Sequence, residues 1–261
     1  FDDPLDMLEY EFENIIGLNI VKDDLKGLYY HLEVAKERKK HNLPDDPISL
    51  HAVFKGAPGT GKTTIARIYG KLYKKLGILS KGHLVELDRS GLVGMYQGHT
   101  EANTVKKLNE ALDGILFIDE AYSLQSDDDS NDIGKHALEV ILKFMEDNRD
   151  RISVIVAGYT DKMDKFLDSN EGLRSRFTNF YDFESYTHEE LGKIFDIMMK
   201  KEHYEYSSSI KNDMIQLFKE LKAGSDPSYF GNAREVRNVC GELKKIQHER
   251  IYLNKNKEKK F

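Results

Sequence analysis

The octapeptide GAPGTGKT at residues 56–63 limits the possible folds more than any other stretch of this chain. It fits the pattern G-x-x-x-x-G-K-S/T, with Gly56, Gly59, Gly61, Lys62 and Thr63 at the defining positions. An apolar run, LHAVFK (50–55), precedes it and reads as a strand. Ile65, Ile68, Tyr69, Leu72 and Leu76 follow at helical spacing. The octapeptide therefore sits between an expected strand and an expected helix, the context that the phosphate-binding pattern requires.

The rest of the first two thirds repeats the alternation. HLVELD (83–88), GILFID (114–119) and ISVIVAG (152–158) read as strands, the last two as buried ones. Helices are expected at 100–112 and along Leu138, Ile141, Leu142 and Met145. Residues 1–43 read as helical, with Val21, Leu25, Leu28 and Leu32 on one stripe, and the Pro44–Pro47 stretch ends the pattern. The fold class is therefore α/β, a parallel sheet with helices on both faces. From about Tyr186 the strand signal stops. Thr187 and Glu190 stand at capping-box spacing, and helical segments are expected at about 207–222 and 232–253. The expected domains are 1–185, a nucleotide-binding α/β domain with an N-terminal helical segment, and 186–261, a small all-helical domain.

The chemistry follows from the same residues. Gly56, Gly59 and Gly61 let backbone N–H groups curl around a phosphate chain, with Pro58, Thr60 and Thr64 in or beside the loop. Lys62 supplies charge near the terminal phosphates, and the Thr63 hydroxyl can ligate Mg²⁺. ILFIDE (115–120) ends an apolar strand in two acids. Asp119 would support Mg²⁺, and Glu120 would orient or activate a water. The alternative for these two is a strand that ends in solvated acids. Asp127, Asp128, Asp129 and Asp132 lie in a Ser/Asn/Asp loop and read as solvated loop residues against a metal-site alternative.

Composition removes several classes. The 261 residues are 39% hydrophobic and 32% charged, normal for a folded domain with a well-charged surface. No apolar run approaches bilayer-spanning length and no signal-peptide pattern opens the chain, so no membrane partner is expected. The net charge of −6 argues against general nucleic-acid binding. The basic stretch at 255–261 reads as a frayed helix end. The single cysteine, Cys240, excludes an internal disulfide, reads as a helix-packing residue and points to a reducing, cytoplasmic setting. The opening Phe1 suggests a piece of a longer protein.

The stretch GLVGMYQGHT (91–100) reads as a loop in which Gly94 and Gly98 flank Tyr96. Either the tyrosine tucks back into the core, or it touches another molecule. Several blocks together bear on that choice: LHAVFKGAPGTGKTTIAR, LVGMYQGHT, GILFIDEAYSL, VIVAGYTDKMDKFLDSNEGLRSRF and GNAREVRN. With these the chain resembles the AAA+ ATPases, a branch of the P-loop NTPases, and more closely their CbbX/CfxQ subfamily of red-type rubisco activases and stage V sporulation protein K.

The resemblance implies a three-layer α/β core with a helical lid, ATP and Mg²⁺ as ligands, and assembly into a homo-oligomer, usually a hexameric ring. Arg176 in SRF (175–177) matches the arginine finger that reaches a neighbour's γ-phosphate; Arg174 is a weaker candidate. Arg234 in GNAR (231–234) matches the sensor-2 arginine, and Arg237 one turn later would hold the lid by an ion pair. For each arginine a surface salt bridge is the alternative. Thr160 falls at the sensor-1 position, where the family often carries Asn, so a hydroxyl would replace an amide. Ile16 and Gly17 would pack beside the adenine. Tyr96 would line the central pore and grip a polypeptide by sequence-tolerant apolar contact, with Met95, Gln97 and His99 beside it. The implied function is an ATP-hydrolysing motor that remodels a protein client. The competing classes are an ATP-controlled assembly switch or scaffold, and a nucleic-acid-acting ATPase of the same family.

Overall fold

In the computed structural model, residues 3–44, 48–92, 97–125 and 133–258 are described. They form two compact units, Phe1–Gly56 with Gly61–Phe183, and Ala57–Thr60 with Glu184–Phe261. The first begins with α1 (Pro4–Glu13), whose Asp3 N-cap accepts from Leu5 N at 2.9 Å, with Pro4 opening the first turn. Helix α2 (Asn19–Lys40) buries Val21, Leu25 and Leu32 and ends in Arg38, Lys39 and Lys40, cations that suit the negative end of the helix dipole. The single helical stretch expected over 1–43 is thus interrupted. Gly17 (φ 62°) and Leu18 (φ 54°) are both left-handed, which stops helical hydrogen bonding between α1 and α2.

The sheet then builds from β1 (Ala52–Gly56), α3 (Lys62–Lys75), β2 (Leu84–Leu87), α4 (Arg89–Leu92), α5 (Gln97–Glu110), β3 (Gly114–Ile118), a 3-10 turn (Ala121–Leu124), α6 (Ile133–Asp147), β4 (Ile152–Gly158), α7 (Thr160–Asp168), α8 (Glu171–Arg176) and β5 (Asn179–Phe183). All strand pairs are parallel and the spatial order is β2-β3-β4-β1-β5. Alternate residues of β1, β3 and β4 feed two cores, and the inward residues of β5 join one of them. One face sends Phe54, Phe117, Ile155 and Tyr181 against α1, α2 and α3. The other sends Val53, Leu116, Ile118 and Val154 against α5, α6, α7 and α8. Phe54 is fully buried among Tyr69, Phe117, Tyr181 and Phe183, with ring centroids 5.0–6.5 Å apart. Truncating such a ring typically costs about 3–5 kcal/mol.

Strands β3 and β4 are buried along their whole length, as their unbroken apolar composition requires. Strand β5 was not among the expected strands. It alternates, with Tyr181 and Phe183 inside and Phe180 and Asp182 outside, the pattern of a sheet edge with one covered face. Its Phe183 carbonyl comes within 2.3 Å of where a Gly56 Cβ would stand, so glycine is required at the strand end for packing as well as for its φ of 151°. The expected loop at 91–100 also shrinks. Residues 91 and 92 belong to α4, and α5 starts at Gln97, so Gly98 is helical.

The second unit holds α9 (His188–Lys201), α10 (Ser208–Ala223) and α11 (Ala233–Glu258). The capping box forms at α9: Glu190 N donates to Thr187 Oγ1 at 3.2 Å, and Thr187 N donates to Glu190 Oε2 at 2.9 Å. Phe195 packs on Phe218 and Tyr206 with ring centroids 6.4 and 5.2 Å away. Cys240 is buried on α11, and burial pushes its thiol pKa up, which keeps it protonated and unreactive. No described helix is long and apolar enough to cross a membrane.

Candidate nucleotide site

The octapeptide lies between β1 and α3, as the motif requires. Gly56, Gly61, Lys62 and Thr63 count with the first unit, Ala57–Thr60 with the second. The backbone explains the residue types. Gly59 (φ 70°) and Gly61 (φ 98°) are left-handed, a conformation open to glycine at little cost. A Cβ on Gly59 would also stand 2.1 Å from the Gly231 carbonyl oxygen. Gly61 is the N-cap of α3, whose positive end is the natural seat of an anion.

In the first unit, Lys62 Nζ donates to the Gly56 carbonyl at 2.8 Å, so the ammonium folds back over the loop's base. The Thr63 hydroxyl, in the first turn of α3, donates to Glu86 Oε1 at 3.4 Å, and Arg67 reaches the same carboxylate at 3.3 Å. Thr64 is exposed on that turn. The β2–β3 register, Leu87 opposite Ile118, continues into a bond from Asp119 N to Leu87 O at 2.9 Å. Asp119 is half-buried and Glu120 exposed. Glu120 adopts a left-handed conformation (φ 49°), and its N–H donates to Asp119 Oδ1 at 3.0 Å. The two adjacent acids thus differ in setting, Asp119 half-buried and accepting from a backbone N–H, Glu120 exposed. Beyond them, the Ser123 carbonyl accepts from the Arg89 guanidinium.

Thr160 is exposed and opens α7, two residues beyond the end of β4, with Tyr159 as the N-cap. Arg176 ends α8. Its Nη1 donates to the Gly172 carbonyl at 3.1 Å, Glu146 lies 3.8 Å away, and its buried Nε has no hydrogen-bond acceptor among the described residues. Arg174 is instead held to Asp168 through two guanidinium nitrogens, one of them Nε at 2.8 Å. Beneath Arg176, His51 is 5% exposed and its Nδ1 accepts from Val154 N at 3.0 Å. Burial, and then the Arg176 charge, lower the His51 pKa from 6.5 to about 4. Ile16 and half-buried Gly17 occupy the connection between α1 and α2.

In the second unit, Pro58, Gly59 and Thr60 meet the segment that opens α11. Asn232 Nδ2 donates to Pro58 O at 3.2 Å, Ala233 N to Gly59 O at 3.1 Å, and the Tyr186 hydroxyl to Thr60 O at 3.1 Å. Arg234 and Arg237 are exposed on the first turns of α11. The sequence reading passed over Glu86, His51, Asn232 and Tyr186. Asn232 lay inside the quoted GNAR block, and the alternation in HLVELD offered a signal for Glu86. Tyr96, Met95, Gly94 and the acids at 127, 128, 129 and 132 lie outside the described residues, as does the end of the basic tail.

Comparison with known proteins agrees with this architecture. Residues 52–185 match the ATPase family associated with various cellular activities (AAA), and residues 187–260 match the AAA lid domain. The chain is 41% identical to a CfxQ homolog of Galdieria sulphuraria, covering 94% of this chain and 79% of that protein. It is 40% identical to the chloroplastic ribulose bisphosphate carboxylase/oxygenase activase of Cyanidioschyzon merolae, covering 97% and 84%. It is 39% identical to stage V sporulation protein K of Bacillus subtilis, covering 94% and 76%. Among solved structures, a Thermogota maritima RuvB mutant superposes with a TM-score of 0.58 over 89% of this chain and 65% of that one, at 21% identity, a likeness of fold alone. A five-stranded parallel sheet bearing this glycine loop on β1, with a matched helical domain after it, makes the chain a member of the AAA ATPase family.

Proposed function

We propose that this chain is an ATP-hydrolysing ring motor that remodels a protein client, as the CfxQ and activase likeness suggests. The observation that carries the reading is the phosphate loop between β1 and α3, with half-buried Asp119 and exposed Glu120 following the end of β3. In this reading the loop's N–H groups and Lys62 hold the β- and γ-phosphates, Lys62 exchanging its bond to Gly56 O for the anion. Glu120, which is exposed, accepts a proton from the attacking water and aligns it. Thr60 and Thr64 complete the loop and the first helical turn, and Ile16 and Gly17 supply apolar contact to the base.

Thr63 and Asp119 offer a hydroxyl and a carboxylate oxygen, the donor type Mg²⁺ takes. Mg²⁺, when bound, supplies charge neutralisation at the phosphate oxygens. Arg176 reaches the site of a neighbouring copy in a ring. Its loose anchoring, one carbonyl and one carboxylate at 3.8 Å, supports such a release better than the two-nitrogen grip on Arg174 does. Arg234 reads the γ-phosphate from the helical domain, Thr160 orients water near β4, and Tyr96 contacts the client.

The test is nucleotide binding and turnover in two variants. Lys62→Ala is expected to lose ATP binding by calorimetry. Glu120→Gln is expected to bind ATP as the parent does while turnover falls at least ~100-fold, the usual worth of a positioned base. Unchanged turnover in Glu120→Gln refutes the hydrolytic assignment.

A further inference from the structure

Three consecutive carbonyls of the phosphate loop accept hydrogen bonds from Tyr186 and from the segment that opens α11. Pro58 O accepts from Asn232 Nδ2, Gly59 O from Ala233 N and Thr60 O from the Tyr186 hydroxyl, all at 3.1–3.2 Å. In a planar trans peptide the carbonyl of one residue and the N–H of the next point in opposite directions. Fixing these carbonyls therefore fixes the N–H groups of Gly59, Thr60 and Gly61, each turned away from its carbonyl's partner. Successive N–H groups facing one side form a concave anion seat.

The two side chains that do this are themselves locked. Asn232 is fully buried and left-handed (φ 49°). Its Nδ2 shares its two hydrogens among Pro58 O, Phe230 O at 2.9 Å and Ser185 Oγ at 3.3 Å, and its Oδ1 accepts from Tyr186 N at 3.0 Å. Tyr186 is 6% exposed, and burial with nearby Glu190 pushes its hydroxyl pKa up to about 12, so it stays a donor at neutral pH. A buried asparagine that joins Pro58 to Tyr186, which in turn holds Thr60, makes the clamp one network rather than two separate contacts.

We propose that Asn232 and Tyr186 are positioning residues of the phosphate site, which orient the N–H groups of Gly59, Thr60 and Gly61 toward the bound phosphates. The inference rests on the reading of residues 56–63 as the nucleotide site and adds a role for residues outside the loop. Neither side chain touches the nucleotide in this scheme; both act through the backbone.

The experiment measures ADP affinity with Mg²⁺ by calorimetry, and the melting temperature without nucleotide, for the parent and three variants. Tyr186→Phe keeps the buried ring and removes only the hydroxyl. Asn232→Gly keeps the left-handed backbone and removes the side chain. Ser185→Ala removes an Asn232 contact that does not reach the loop. Tyr186→Phe is expected to weaken ADP about threefold to tenfold, the range a single hydrogen bond spans. Asn232→Gly, which loses the bonds to both Pro58 and Tyr186, is expected to weaken it about tenfold or more. Ser185→Ala is expected to keep parental ADP affinity even where its melting temperature drops. A folded Tyr186→Phe or Asn232→Gly with parental ADP affinity overturns the inference alone. A parent that binds no ADP overturns the nucleotide-site reading and this inference with it.

Discussion

Acidification should act on this protein through His51 before it reaches most carboxylates. The ring is 5% exposed, and its Nδ1 accepts from the Val154 N–H inside the sheet. Protonating Nδ1 would bring two N–H groups face to face, with the Arg176 guanidinium adding repulsion. Burial is the larger cause and Arg176 the second, and together they hold the folded pKa at about 4 against an ordinary 6.5. Below 6.5 the unfolded chain takes up a proton that the folded chain refuses, so stability falls as pH falls from about 6.5 to about 4. Above that window both states are neutral and His51 has no effect. The full window corresponds to roughly 3 kcal/mol, of which about 2 kcal/mol is lost by about pH 5. Histidine-labelled protein followed by NMR gives the ring's titration directly, and urea midpoints across the same range give its energetic consequence. A His51 ring that titrates near 6.5, or a stability that does not change from about pH 7 to 5, refutes the reasoning.

Two further outcomes are expected. Arg176→Ala should lower ATP turnover by about three orders of magnitude, the scale known for arginine fingers, and an equal mixture with Glu120→Gln should regain activity, because each variant supplies what its neighbour lacks. Failure of the mixture to recover would place Arg176 outside a shared site. Thr187→Ala removes one of the two reciprocal bonds of the α9 capping box and should destabilise the helical unit by about 1 kcal/mol, read as a lower urea midpoint; an unchanged midpoint would mean that the cap is replaced by water.

Some of this was legible from short windows. The glycine loop, the unbroken apolar runs of β3 and β4 and the Thr187–Glu190 spacing each encode their structure in adjacent residues, because φ, strand burial and capping are local matters. Strand β5 was missed because its three aromatics, Phe180, Tyr181 and Phe183, are interleaved with Asn179 and Asp182, so no unbroken apolar run marks it. The sequence placed Asp119 and Glu120 side by side; only the structure shows the left-handed backbone at Glu120 (φ 49°) and its N–H held by the Asp119 carboxylate.

By itself the sequence determined the α/β class, the phosphate loop, the adjacent acids and the helical character of the last third, since each follows from periodicity or residue chemistry within a few turns of chain. Tertiary structure alone decided the edge strand, the neutral state of His51 and the grip on the loop carbonyls. Those rest on partners far apart in the chain: His51 meets Val154 across 103 residues, and Tyr186 meets Thr60 across 126. A hydrogen bond or a burial cost at such separation exists only once the sheet and helices have brought the groups together, so no local pattern records it.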